Sequence, residues 1–505
     1  MSAGEEIYGR LVSELTRITL FGSCASVLGW DEQTCLPPQG GEHRANQLSL
    51  LAGMRHQMAT ASALGDLIAE AEASVSTDET EDPQCVVISE ARREYDRATK
   101  LPQSLVEELT RTTSLGQQAW VKARQNKQFS EFQPWLDKIV RLKREEAAAL
   151  DFGSGVLYDA LLDAYEPGAK TAEVDAIFTA FREPLVKLLQ AIVDSPNQAD
   201  PSILERSYPI DRQAEFSKKG AAAIGFDFEA GRLDIAAHPF CSGFGPGDCR
   251  LTTRYDEHHF PGAFFGTLHE AGHGLYEQGL PSEHYGTALG EAASLGIHES
   301  QSRMWENFVG RSRPFWNYFY ADARSTFPEA LSGVELDDFH RAINDVRPTL
   351  IRVEADEVTY NLHIMLRFEL EQALIHGELE AADVPSAWND RMKSFLGIVP
   401  PNDALGCMQD VHWSAGLFGY FPTYALGNMY AAQFYNQAQQ DLGDLGTMFA
   451  RGEFAPLKNW LNENVHRHGR RYKANRLTEV VTGHRLSHEP LLLHLQQKFG
   501  ELYQL

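Results

Sequence analysis

The chain has 505 residues, with 45 lysines and arginines against 70 aspartates and glutamates, and a net formal charge of −25. Acidity of that size argues against nucleic acid as a partner and for a soluble protein. The length allows a large buried core, and length alone would suggest about three domains, but no stretch reads as a linker, so a single domain over residues 1–505 is expected.

The N-terminus, Met1-Ser2-Ala3-Gly4-Glu5-Glu6, is acidic and lacks the charged-then-apolar pattern of a signal peptide. No uninterrupted apolar run approaches about 18 residues, so no membrane span is expected. Six scattered cysteines form no CxxC pair. In a chain this long that pattern fits free thiols in a reducing compartment, and a cytoplasmic location is expected.

The first 230 residues read almost entirely as helix. Ile7 to Leu28 is apolar at helical spacing and stops near Gly29-Trp30-Asp31. Pro37-Pro38-Gln39-Gly40-Gly41 breaks the chain, and Glu42 to Ala73 resumes as a second long helix antiparallel to the first. Ser74 to Pro83 reads as an acidic loop. Helix formers dominate from Val86 to Ser195, with breaks at Lys100-Leu101-Pro102, Phe152-Gly153-Ser154-Gly155 and Pro167-Gly168. Ala222 to Phe226 starts another short segment.

Between Leu233 and Tyr255 glycines and a proline separate two short segments, the second Thr-rich and alternating, which predicts a small β-hairpin. A strand edge there could hold an extended peptide by backbone pairing. Next comes Phe264-Phe265-Gly266-Thr267-Leu268-His269-Glu270-Ala271-Gly272-His273. On a helix His269 and His273 share one face and can point at one ion. Imidazole is a preferred zinc ligand, and Glu270, beside His269, can reach a water on the metal without ligating it, the arrangement of a metallopeptidase. Phe264, Phe265, Leu268 and Leu275 predict a buried helix, in which two histidines and a glutamate need partners. Gly279-Leu280-Pro281 ends it, and Ala288 to Val309 is the next helix. Glu299 on that helix, 26 residues beyond His273, is the first choice for a third ligand, with His298 and Glu291 as competitors.

His238-Pro239-Phe240, Asp248-Cys249-Arg250-Leu251-Thr252, His269 to His273, His298-Glu299-Ser300-Gln301, Ile351-Arg352-Val353-Glu354-Ala355-Asp356 and Gly406-Cys407-Met408-Gln409-Asp410-Val411-His412-Trp413 follow one another in this order. So arranged, they resemble the signature motifs of the carboxypeptidase Taq family of thermostable metallocarboxypeptidases. The resemblance runs from Trp30-Asp31 to Val465–Tyr472. It implies a mainly α fold similar to neurolysin and angiotensin-converting enzyme, a single domain with two helical lobes around a deep groove and a small β-sheet near the zinc helix. It further implies release of single residues from peptide C-termini with broad specificity, one zinc ion that cobalt can replace, a cytoplasmic location and a homodimer. By the family pattern His269, His273 and Glu299 hold the metal and Glu270 is the catalytic glutamate.

A tetrahedral oxyanion needs donors besides the metal. His412 and Tyr420 are the candidates, because a His followed by Tyr residues resembles the transition-state stabilisers of the related peptidases; Tyr424 is an alternative to Tyr420. A free C-terminal carboxylate is well matched by a guanidinium fork. Arg352 is the first choice, and Arg341, eleven residues earlier, the second. His238, Asp248 and Arg250 are expected to shape the groove without an assigned step. The basic run His466–Lys473 reads as a helix end with ion-pair partners rather than a nucleic-acid patch. The rival readings are a zinc endo-oligopeptidase, which would cleave amidated peptides, and a catalytically silent helical scaffold.

Overall fold

The structure is a computed structural model that describes residues 3–75, 80–150, 153 and 155–505. The N-terminal Met1-Ser2, the centre of the expected 74–83 loop and two positions of the expected Phe152–Gly155 break lie outside the described residues. Two compact units each draw on three chain segments. Unit 1 is Met1–Thr99, Pro201–Ile343 and Phe434–His484; unit 2 is Lys100–Asp200, Asn344–Gln433 and Arg485–Leu505.

Unit 1 begins with a helix over Ala3–Thr34. It does not stop at Gly29-Trp30-Asp31 as expected. One glycine costs a helix only about 1 kcal/mol, and tertiary contacts outweigh it here. Trp30 is buried, with the Arg250 guanidinium 4.6 Å and the Arg232 guanidinium 5.3 Å from its ring, and Asp31 is paired with Arg44 at 2.6 Å. The helix ends before Pro37-Pro38, which cannot continue it. By length and composition this helix is also sufficient to cross a membrane; its Leu11 and Ile18 are buried against Leu64, Ile68 and Ile88. The expected second helix is two, Gly41–Ala59 and Ser62–Ala73, parted by the extended backbone of Ala61.

Ala222 ends a helix, Ile210–Ala223, instead of starting one. Its Phe216 packs on Phe260 and Phe264. A hairpin is present, but its first strand, β2 (Cys241–Gly245), lies in the glycine-containing stretch expected to separate the two segments; it pairs with β3 (Asp248–Thr253), turning at Gly247 with φ 81°. The first expected segment is strand only at its start, in β1 (Gly231–Ile235), which pairs parallel to β3 and not as a hairpin, so the order is β1-β3-β2. The expected Ala288–Val309 helix is a 3₁₀ turn at Ala288–Gly290, an α-helix over Leu295–Arg303 and a π-helical stretch over Met304–Gly310. The Ser294 side chain accepts the Ile297 N–H and so sets the start of the α-helix. The basic run is bound internally: buried His466 contacts Gln301 Oε1 at 2.8 Å, and Arg470 pairs with Glu291 at 2.9 Å.

Unit 2 centres on the helix Thr359–His376, buried on almost every side. Such a helix is packed all round. The helices Gln133–Ala149, Leu157–Leu162, Thr171–Asp194 and Val384–Leu396 surround it, with Phe368 meeting Tyr158 and Phe178 edge to face.

Candidate metal centre

The helix Phe260–Gly279 begins with Pro261 in its first turn, where the missing N–H costs nothing. Phe260, Phe264, Phe265 and Leu268 bury one side of it, among Phe216 and Trp316. His269 and His273 lie one turn apart, and the helix Leu295–Arg303 brings Glu299 to both. Glu299 Oε2 stands 3.8 Å from His269 Nε2 and 3.5 Å from His273 Nε2. Those spacings are long for hydrogen bonds and right for ligands. Groups bound about 2.1 Å from a tetrahedral ion stand roughly 3.4 Å apart. Among the described residues, His269, His273 and Glu299 are the group whose ligand atoms all fall within 4.8 Å of one another. Two imidazoles and a carboxylate are a donor set zinc accepts, so the residues fit the expected ion.

The surrounding layer orients each ligand. His269 Nδ1 donates to Glu306 Oε2 at 2.9 Å, leaving Nε2 with its lone pair. His273 Nδ1 lies 2.5 Å from His298 Nδ1, and His298 Nε2 lies 2.7 Å from Glu277 Oε1. A carboxylate only accepts, so His298 donates from Nε2 and accepts at Nδ1, and His273 Nε2 is again the free lone pair. Arg303 Nε donates to Glu299 Oε1 at 2.7 Å, which leaves Oε2 for the histidines. Of the competitors, His298 therefore stands behind His273, and Glu291 is paired with Arg470.

Glu270 is buried, and burial pushes its carboxyl up to about 7, with the charges of Glu299 and Glu306 adding to the rise and His269 opposing it. Burial raises Glu299 as well, but Arg303 and the two histidines outweigh it and hold the carboxyl well below the usual range. Burial takes His273 down to about 4.

The remaining candidates fall in both units. In unit 1, His238 is exposed on the β1–β2 connection and Arg341 sits in the last turn of the helix Leu336–Ala342. Arg250 grips Asp248 with two bonds of 2.8 Å and lies over Trp30 and Phe244. In unit 2, buried Arg352 does not pair with Glu354 or Asp356. Its Nε and one terminal nitrogen donate to Asp410 Oδ1 at 3.0 and 2.8 Å, and the other donates to the Tyr360 hydroxyl at 2.9 Å. Three of its five N–H groups are so engaged. Arg367, fully buried, takes Asp410 Oδ2 at 2.7 Å. One carboxylate thus faces two guanidinium groups and is held far below its ordinary pKa despite burial. His412 is lowered to about 4, first by burial and then by the two arginines, so its imidazole is neutral at pH 7. Its Nε2 lies 3.4 Å from the Tyr424 hydroxyl and its ring 5.3 Å from that of Tyr420. Among the described residues its Nδ1 is buried without a hydrogen-bond partner.

Sequence reasoning passed over Glu306, Arg303, Glu277 and Arg367. The first two stand seven and four residues from Glu299 and the third four from His273, so helical spacing held a signal for them. Arg367 carried none.

Similar proteins match the chain along nearly its whole length. The family described as carboxypeptidase Taq (M32) metallopeptidase matches residues 10–499. "Thermostable carboxypeptidase 1" of Thermus thermophilus is 46% identical over 507 residues, covering 99% of each chain. "Carboxypeptidase 1" of Bacillus subtilis is 39% identical, covering 97% of each. The crystal structure of an M32 carboxypeptidase from Deinococcus radiodurans R1 superposes with a TM-score of 0.95 at 39% identity, covering 99% of this chain and 100% of that one. With the two histidines, the intervening glutamate and Glu299 in place, the chain belongs to the carboxypeptidase Taq (M32) family of metallopeptidases.

Proposed function

We propose that the protein is a zinc carboxypeptidase releasing single C-terminal residues from peptides, with His269, His273 and Glu299 as ligands and Glu270 as general base. The observation that carries this is the convergence of two free imidazole lone pairs and one carboxylate oxygen beside a buried glutamate. When bound, the ion supplies Lewis acidity, which lowers the pKa of a water towards about 7 and polarises a carbonyl. Glu270, with its carboxyl raised to about 7, accepts a proton from water at neutral pH and returns it to the leaving amine. Cobalt is proposed to replace zinc, since the same N and O donors suit both.

Oxyanion donation by His412 with Tyr420 or Tyr424, and carboxylate recognition by Arg352 or Arg341, are proposed from the motif resemblance. The net positive charge of the Arg352–Asp410–Arg367 cluster and the unused N–H groups of Arg352 favour Arg352 for that carboxylate. His238, Asp248 and Arg250 are proposed as groove-shaping residues on the same ground. A cytoplasmic location is proposed from the cysteine pattern and the resemblance, and a homodimer from the resemblance alone; light scattering at twice the 56.5 kDa chain mass is the expected result for the homodimer.

Glu270→Gln tests the mechanism. It is expected to bind one zinc per chain by elemental analysis, as the wild type does, while kcat drops by about 10²–10⁴-fold. A variant with full zinc and near wild-type kcat would remove Glu270 from the chemistry.

A further inference from the structure

The helix Thr359–His376 carries a stripe of buried polar side chains, Tyr360, His363, Arg367 and Glu371, at the spacing that shares one face. Glu371 has no solvent exposure, and its carboxylate accepts three hydrogen bonds. The Tyr158 hydroxyl donates to Oε2 at 2.6 Å, the Gly419 N–H donates to Oε2 at 2.9 Å, and the Trp413 indole N–H donates to Oε1 at 2.9 Å. Two of these donors belong to one short irregular segment. Arg367, one turn earlier on the stripe, holds the same segment through Asp410 Oδ2 and Gln409 Oε1. The helix therefore pins the segment at Asp410, at Trp413 and at Gly419.

His412 stands between the first two anchors, and Tyr420 follows the third. The Gly419 anchor is tight. Its φ is +88°, and a Cβ there would meet the Leu161 carbonyl carbon at 2.7 Å, so the main chain lies directly on the helix that supplies Tyr158. The Trp413 ring stacks on Phe418 within the same segment.

We propose that Glu371 is a positioning residue for catalysis: by gripping Trp413 and Gly419 it sets the separation of the His412 imidazole and the Tyr420 phenol. The proposal rests on the roles assigned to those two residues above. A glutamine at this position has one acceptor oxygen in place of two and turns an NH₂ group towards a donor. Glu371→Gln is thus expected to shift the segment without emptying the site.

The test compares Glu371→Gln, Tyr420→Phe, His412→Gln and the Glu371→Gln/Tyr420→Phe double variant, all zinc-loaded, on one free-acid peptide. In Glu371→Gln the kcat is expected to drop about 10- to 100-fold, with KM within about threefold and zinc content unchanged. Tyr420→Phe is expected to cost much less in the Glu371→Gln background than in the wild type, a coupling that a merely structural role does not produce. Where Glu371→Gln does not fold, Trp413→Phe keeps an aromatic ring of smaller size and removes the N–H on Oε1; its kcat is expected about fivefold lower, with the same coupling. Wild-type kcat in the Glu371 or Trp413 variant, or effects that simply multiply, would overturn the positioning role alone. If Tyr420→Phe and His412→Gln both leave kcat unchanged, the assigned oxyanion roles fail and the positioning proposal with them.

Discussion

At Gly272 a Cβ would stand 2.6 Å from the Gln301 carbonyl oxygen and 2.6 Å from the Ser302 Cα. Both are backbone atoms of the helix that carries Glu299, so neither can swing aside. The absent side chain lets the two helices approach until Glu299 Oε2 is 3.5 Å from His273 Nε2. Gly272→Ala is therefore expected to push the helices apart, costing about 1–3 kcal/mol of stability by overpacking and weakening zinc at least about tenfold. Thermal melts and competition with a chromophoric chelator read the two effects, and an unchanged zinc affinity would contradict this reading of the glycine. Much of the centre was legible in residues 269–273, because one turn of helix fixes both histidines and the glutamate. Glu299 was legible as the first of three choices; distance separates it from His298 and Glu291. The partner of Arg352 was not legible, since Asp410 lies 58 residues along the chain while Glu354 and Asp356 are near neighbours.

Whole helices were easier to read than their ends. The run through Gly29 depends on contacts of Trp30 with Arg232 and Arg250 from distant segments, which periodicity does not contain. The strand Cys241–Gly245 was missed because its glycines read as a turn between the two expected segments. One helix contact carries a pH prediction. Near the start of the helix Thr359–His376, Glu357 accepts Lys498 Nζ at 2.5 Å and lies 3.1 Å from His494 Nε2, both on the helix Glu489–Tyr503. Burial raises its carboxyl, but Lys498 and His494 outweigh burial and hold it at about 2. An unfolded glutamate titrates near about 4.3, so the native state binds fewer protons between these values. The stabilisation is complete above about pH 4.3 and is lost as pH falls towards 2. Lys498→Met is expected to lower stability at pH 7 by about 3 kcal/mol, and the gap to wild type is expected to narrow below about pH 4. Urea midpoints at both pH values check this, and a gap that does not change with pH would contradict it.

At the scale of the molecule, each unit is assembled from three separated segments that alternate along the chain. No composition shift marks these exchanges, which is why the sequence read as a single domain with two lobes but marked no bounds for either lobe. The net charge of −25 and the six cysteines described no more than a general class. The functional conclusion rests on the metal centre inside unit 1 and on whole-length similarity to metallocarboxypeptidases. The most direct measurement is mass spectrometry of one N-blocked peptide, prepared as the free acid and as the C-terminal amide. Each is incubated with protein that has been stripped by a chelator and then reloaded with zinc or cobalt. Stepwise loss of single C-terminal residues from the free acid alone, absent in the stripped protein and regained on reloading, is the predicted result. Internal cuts in both peptides, or an inert zinc-loaded protein, would contradict it.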